Sequence, residues 1–181
     1  MIENVFPPKV ERLANLVRKK HKDVLAEVAA CAAELDHIVD VPGLYAESLI
    51  SAAALAMTLC RETGQTLGYF SATRYMGMIK RNGAICGFDS AEEMLEDAEV
   101  MVISELSLVP SSVSSILDGY IYRRWAEDQR TIVCGYNIPP ARSRHEAETI
   151  DGYSGYPLLS SRIGRTVLYW DPKFYKDTGR L

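Results

Sequence analysis

Apolar and polar positions along this chain follow two different periods, and the change between them is clearest from Val100 to Asn137. A continuous apolar run (VMVISEL, 100–106) gives way to a mixed stretch, SSVSSILDGYIYRRWAEDQ (111–129), and then to a second apolar run, TIVCGYN (131–137). Short continuous apolar runs fit strands buried on both faces, as in a parallel sheet, and the amphipathic stretch between them fits the crossover helix. Strand, helix and strand in that order make a βαβ unit. In open α/β sheets chemistry gathers at the carboxyl ends of the strands. Those ends carry Ser104, Glu105 and Asn137.

The same alternation extends in both directions. Helix formers run from about Lys9 to Leu35 behind Pro7 and Pro8, where a proline at the first helical position suits a helix start. His37–Val41 reads as the first core strand, followed by a turn at Pro42-Gly43 and a helix through about Arg61 that Gly64 closes. Gln65–Ala72 reads as the second strand, and Tyr75–Arg81 and Ser90–Glu96 as helical pieces, the latter opened by a capping box of Ser90 and Glu93. Beyond Asn137 a polar, punctuated stretch (138–156) predicts a surface loop, then a short helix (156–164) and a closing strand, Arg165–Asp171. Five strands separated by helices predict an α/β, three-layer, doubly wound five-stranded parallel sheet with an N-terminal helix. The expected organisation is a helical segment (1–35), an α/β core (36–171) and a peripheral tail (172–181).

Composition narrows the function classes. The chain has 181 residues, 48% hydrophobic and 24% charged, with a formal net charge of −4. That balance argues against a dedicated nucleic-acid coat, whose footprint is strongly basic. The best local basic patch is Arg18, Lys19, Lys20, His21 and Lys22, which reads first as a solvated helix face. Cys31, Cys60, Cys86 and Cys134 form no CxxC pair and are expected to be reduced, buried thiols. The longest apolar run, Leu49–Cys60, is too short to span a bilayer, and the N-terminus lacks the pattern of a secretory signal. A cytoplasmic location without membrane contact follows as the expectation. The three histidines form no metal-ligand pattern, and no hydrolase motif assembles.

Two segments carry a resemblance. The helix LDGYIYRRWAEDQ running into TIVCGYN resembles the Arg-containing helix and sensor-asparagine strand of the AAA+ domain of DnaC-type bacterial helicase loaders and insertion-sequence transposase helpers. LLSSRIGRTVLYWD is similar to that family's arginine-finger segment and closing strand. The likeness covers the chain from about Leu35 to the C-terminus and implies a P-loop NTPase fold.

The motifs that define ATP chemistry depart from the family pattern. A phosphate loop needs glycines, a lysine and a Ser or Thr, but no Lys or Arg occurs between Lys22 and Arg61. Laid from Gly43, the pattern puts Leu49 and Ile50 at the Lys and Ser/Thr positions; shifted back by two, it puts Glu47 and Ser48 there. A carboxylate ~4 Å from a phosphate repels it by roughly 4 kcal/mol at an effective dielectric of about 20, where a lysine attracts it by a similar amount. At the third strand, Ser104 stands where the family carries its Mg²⁺-binding Asp, leaving only Glu105.

Three positions match the family better. The resemblance implies that Glu105 is the catalytic acid, Asn137 the sensor and Arg162 the finger that acts in a neighbouring subunit. Each also has a plainer reading: a strand-end cap, a turn residue before Ile138-Pro139-Pro140, and a partner for a surface acid. Arg123, Arg124 and Trp125 are candidate contacts to a partner or to single-stranded DNA, although arginines at a helix C-terminus also complement its dipole.

The sequence therefore predicts a non-hydrolysing AAA+ relative acting through protein contacts in DNA replication or transposition, as adaptor, ring cap or inhibitor. Its expected partner is a loader subunit, a replicative helicase or a transposase. No resident cofactor is expected, with at most weak ATP/Mg²⁺ binding. A weak ATPase and a single-stranded DNA-binding module stand as alternatives.

Overall fold

The computed structural model describes residues 5–34, 38–41, 45–82, 98–134 and 168–170. Within them the elements are α1 (Pro8–Lys20), α2 (Lys22–Glu34), β1 (Ile38–Val41), α3 (Tyr45–Thr63), β2 (Leu67–Ser71), α4 (Ala72–Asn82), β3 (Val100–Ser104), a 3₁₀ turn (Leu106–Leu108), α5 (Ser111–Ala126), β4 (Arg130–Cys134) and β5 (Leu168–Tyr169). The strands form one five-stranded sheet in the order β2-β3-β4-β1-β5, with every neighbouring pair parallel. The helical piece expected at Ser90–Glu96, the loop and short helix across 138–164, and Gly43, Asn137 and Arg162 lie outside the described residues.

The continuous apolar runs are explained by helices on both faces of this sheet. On β3, all five positions are buried. Val100 and Val102 face the α3 side with Ile132 and Cys134 of β4, while Met101 and Ile103 face α4 and α5 with Val133 and Phe70. Successive strand side chains alternate between faces, so both periods of the run need apolar residues. Gly68 on β2 allows a close approach: a Cβ there would lie 2.6 Å from Met101 Cε and 2.8 Å from Ala98 Cβ.

Helix α3 is apolar around most of its circumference, and residues Ser51 to Met57 are all buried. Such a helix must be covered on more than one side. The sheet covers one side, and α1 and α2 share its apolar cluster on another through Ala14, Val17, Leu25, Ala29 and Ala32. Gly64 ends the helix at φ +74°, its N–H donating to Cys60 O at 2.9 Å. A residue in the left-handed region closing a helix is a glycine position.

The run of helix formers from about Lys9 to Leu35 folds as two helices. Pro8 occupies the first turn of α1 and Arg18, Lys19 and Lys20 its last. The break falls at His21, whose N–H donates to Val17 O while its carbonyl accepts from Leu25 N. The bend turns Leu25, Ala29 and Ala32 into the core. The cysteines need a smaller correction: Cys60 and Cys134 are buried, but Cys31 on α2 is exposed.

Candidate functional site

Parallel strands that end together bring distant residues side by side. Ser71 closes β2 and Ser104 closes β3, and the two are partners in the register. The chain then turns through Glu105 at φ 65°, in the left-handed region. That conformation is costly for a residue with a Cβ, and the surroundings show what holds it. Ser71 Oγ donates to Glu105 Oε2 at 2.7 Å, and Thr73 Oγ1 donates to the same oxygen. Ser71 Oγ also accepts the backbone N–H of Arg74 at 3.3 Å, which ties this cluster to the start of α4.

Beside it, Ser104 is buried and its hydroxyl lies 3.1 Å from Tyr69 Oη. Burial raises the Tyr69 phenol above its ordinary pKa, the Ser104 hydrogen bond works against that rise, and the Glu105 carboxylate adds to it. Phe6 packs on the same ring with centroids 5.3 Å apart. Ser104 is thus engaged in a buried hydroxyl pair, and Glu105 is the carboxylate of this edge that the described bonds hold in place.

The first turn of α3 follows the carboxyl end of β1. There Glu47 is half-buried and its backbone carbonyl accepts Ser51 Oγ at 3.2 Å, while Ser48 is fully buried. The inward face of α3 runs through Ser48, Ala52, Leu55 and Leu59, at helical spacing.

Arg123, Arg124 and Trp125 lie at the opposite, amino edge of the sheet, because α5 runs back to the start of β4. Arg124 is corrected as a contact candidate: it is 2% exposed. Its Nε donates to Thr131 Oγ1 at 3.1 Å, Nη1 to Gln129 Oε1 at 3.1 Å, and Nη2 to Arg130 O at 2.8 Å and Glu99 O at 3.5 Å. Burial lowers its pKa to about 10, with Glu127 opposing the shift, so it remains charged at neutral pH. Glu99 completes the edge, accepting Thr66 N–H at 2.8 Å while its own N–H donates to Thr66 Oγ1 at 3.0 Å. Arg123 is exposed with its guanidinium 5.5 Å from the Tyr120 ring centroid, and Trp125 is half-buried against Tyr122 at 5.7 Å.

The structure therefore gathers Ser104 and Glu105 with Tyr69, Ser71 and Thr73, which sequence reading did not single out. The signal for Ser71 was its place at the end of a strand predicted beside β3. Among the described residues no group of three or more His, Cys, Asp or Glu side chains could hold a metal ion. No helix among them is long and apolar enough to cross a membrane.

The parallel order β2-β3-β4-β1-β5, with helices on both faces and a carboxylate directly after β3, is the fold of a P-loop NTPase. Solved structures of similar fold include a replication initiator DnaA bound to AMPPCP and single-stranded DNA, at a TM-score of 0.59 and 13% identity over 94% of this chain and 52% of that one. Domain III of the Thermotoga maritima replication initiation protein DnaA matches at 0.55 and 12% identity over 93% of this chain and 65% of that one. The DnaC helicase loader is a looser match, at 0.47 and 17% identity over 75% of this chain and 78% of that one. The chain spans between about half and two thirds of the DnaA chains it matches. No protein-family model matches the chain, and no curated protein matches its sequence.

Proposed function

We propose that this chain is a degenerate AAA+ relative that does not hydrolyse ATP and acts through protein contacts in DNA replication or transposition, as adaptor, ring cap or inhibitor. The observation that carries the reading is the donor set at the carboxyl edge of the sheet. Phosphate would meet no lysine or arginine from the segment joining β1 to α3. Mg²⁺ would meet Glu105, whose Oε2 is already bonded to Ser71 and Thr73, beside a serine engaged with Tyr69. Mg²⁺ is normally held by carboxylates together with substrate phosphates, and MgATP does not fit this set.

The likeness in fold to replication initiators supports the assignment to replication, and a fold retained without its phosphate chemistry supports a role in contacts. In this reading 1–35 is a helical segment added to a core over 36–171, and Arg162 is offered to a neighbouring subunit. An arginine finger acts in trans, so it needs no nucleotide in its own chain. The working location is the cytoplasm.

A mixing experiment tests the proposal. Added to an active AAA+ loader or transposase-helper ATPase from the same cell, the protein changes that ATPase rate, and Arg162→Ala abolishes the change. An unchanged rate, with no complex by size-exclusion chromatography at micromolar concentration, contradicts it. The ATPase alternative is favoured by one observation, the fixed carboxylate of Glu105, and predicts turnover by the chain alone that Glu105→Gln removes.

A further inference from the structure

At the joint between α1 and α2, on the amino-edge side of the molecule and so remote from Glu105, the chain forms an open cleft of about 540 Å³. Arg18, Lys19, Lys22 and Arg61 line it, and Glu62 is the one carboxylate among the described lining residues. The first three cations come from one stretch of sequence, but Arg61 belongs to the last turn of α3 and joins them only in the fold. Cations suit the ends of α1 and α3, whereas Lys22 opens α2, at an end where a cation is disfavoured. Arg18 is half-buried and its guanidinium donates to Asn15 Oδ1 at 3.1 Å. Its pKa is lowered first by that burial and then by the charge of Arg61. The fold thus holds four like charges around one partly desolvated concavity, and carboxylates brought into it would relieve their repulsion.

The surroundings of the cleft select the kind of anion. No aromatic side chain is among the described lining residues, so a base would find no stacking platform there. The chain as a whole carries a formal charge of −4, which repels a polyanion charged at every residue wherever it leaves the cleft. A peptide can carry its carboxylates only where the cations stand. The cleft also has an apolar margin: Ala26 lines it, and Leu16, 41% exposed, adjoins Lys19 at i,i+3 spacing on the surface of α1. Lysine stems extend that margin. Arginines drawn from two helices suit carboxylates, which a guanidinium takes through paired N–H bonds.

We propose that this cleft docks an acidic segment of a protein partner, with Glu or Asp opposite Arg18, Lys19, Lys22 and Arg61 and a leucine-like side chain against Leu16. The inference rests on the reading that the chain acts through protein contacts, and adds to it the face used and the chemistry of the partner.

Fluorescence anisotropy of the full chain with a labelled peptide of Glu-Glu-Leu repeats tests it. Binding should weaken as salt rises, since exposed charges are screened beyond ~10 Å at about 0.1 M, and the matched peptide of Gln-Gln-Leu repeats should not bind. Lys19→Ala with Lys22→Ala, both at exposed positions, should weaken binding by about tenfold, the loss expected for two exposed charge contacts. Arg61→Ala should weaken it in the same direction, which a contact made by the 18–22 stretch alone would not show. Lys9→Ala, the same change of charge at the other end of α1, should leave it unchanged. An affinity equal to wild type in the double variant overturns the proposal, as does equal binding of the glutamine peptide. Tighter binding of an oligothymidylate of equal charge, or of phosphatidylglycerol vesicles, overturns it too, because the cations would then serve a phosphate ligand. The readout is binding by this chain alone, so it stands or falls separately from the Arg162-dependent change in a partner's ATPase rate.

Discussion

The two edges of the sheet use charge in opposite ways. At the amino edge a buried arginine, Arg124, bonds to the start of β4, to the carbonyl before β3 and to the loop after α5. Its cation is enclosed and makes the edge rigid. At the carboxyl edge a carboxylate, Glu105, sits in a left-handed conformation held by hydroxyls from β2 and α4. The charge there is oriented but only half-buried. An internal arginine bonded to backbone carbonyls acts as a structural lock. A strained carboxylate at a strand end is the kind of feature that accumulates at functional sites. One edge is thus a structural frame, and the other presents an oriented carboxylate within reach of solvent.

Substitutions separate these roles. The largest effect is expected for Arg124→Met, which leaves Thr131 Oγ1 and the Arg130 carbonyl without their donor in a buried setting and should cost about 3 kcal/mol in urea unfolding. Its neighbour Arg123→Met, at an exposed position, should change stability by no more than about 0.5 kcal/mol. Equal losses would remove the contrast. Gly68→Ala comes next, at about 2 kcal/mol, because the new Cβ meets Ala98 and Met101 below normal contact distance.

The smallest pair compares the two described non-glycine residues of positive φ, Glu105 and Asp128. Asp128→Gly, in the exposed turn after α5, should gain about 0.5 kcal/mol by relieving the backbone. Glu105→Gly relieves the same strain but loses both hydroxyl bonds, and should show a net loss of about 1 kcal/mol. Equal gains at both sites would mean that Ser71 and Thr73 contribute nothing to holding Glu105.

Much of this architecture was legible from local pattern. The unit of β3, α5 and β4 follows directly from two apolar runs and the stretch between them, because burial on both faces leaves no room for alternation. Gly64 was legible as a helix end for the same local reason. What local pattern missed depends on where distant segments meet. The break at His21 is set by the need to turn Leu25 and Ala29 onto α3. Arg124 looked like surface charge because its acceptors come from the chain that follows the helix and from Glu99, ahead of β3. Ser71 is 34 residues from Glu105 in sequence and reaches it only through the parallel register of β2 and β3. Arg61 joins the α1–α2 basic cluster by the same kind of long-range placement.

The central claim is that the carboxyl edge has lost its affinity for MgATP while keeping the fold. Isothermal titration of the full chain with ATP, with and without Mg²⁺, tests it most directly. The account predicts no binding heat up to about millimolar nucleotide, a Kd at which only about 4 kcal/mol of affinity would remain, and no shift in melting temperature. Micromolar binding that requires Mg²⁺ would contradict it.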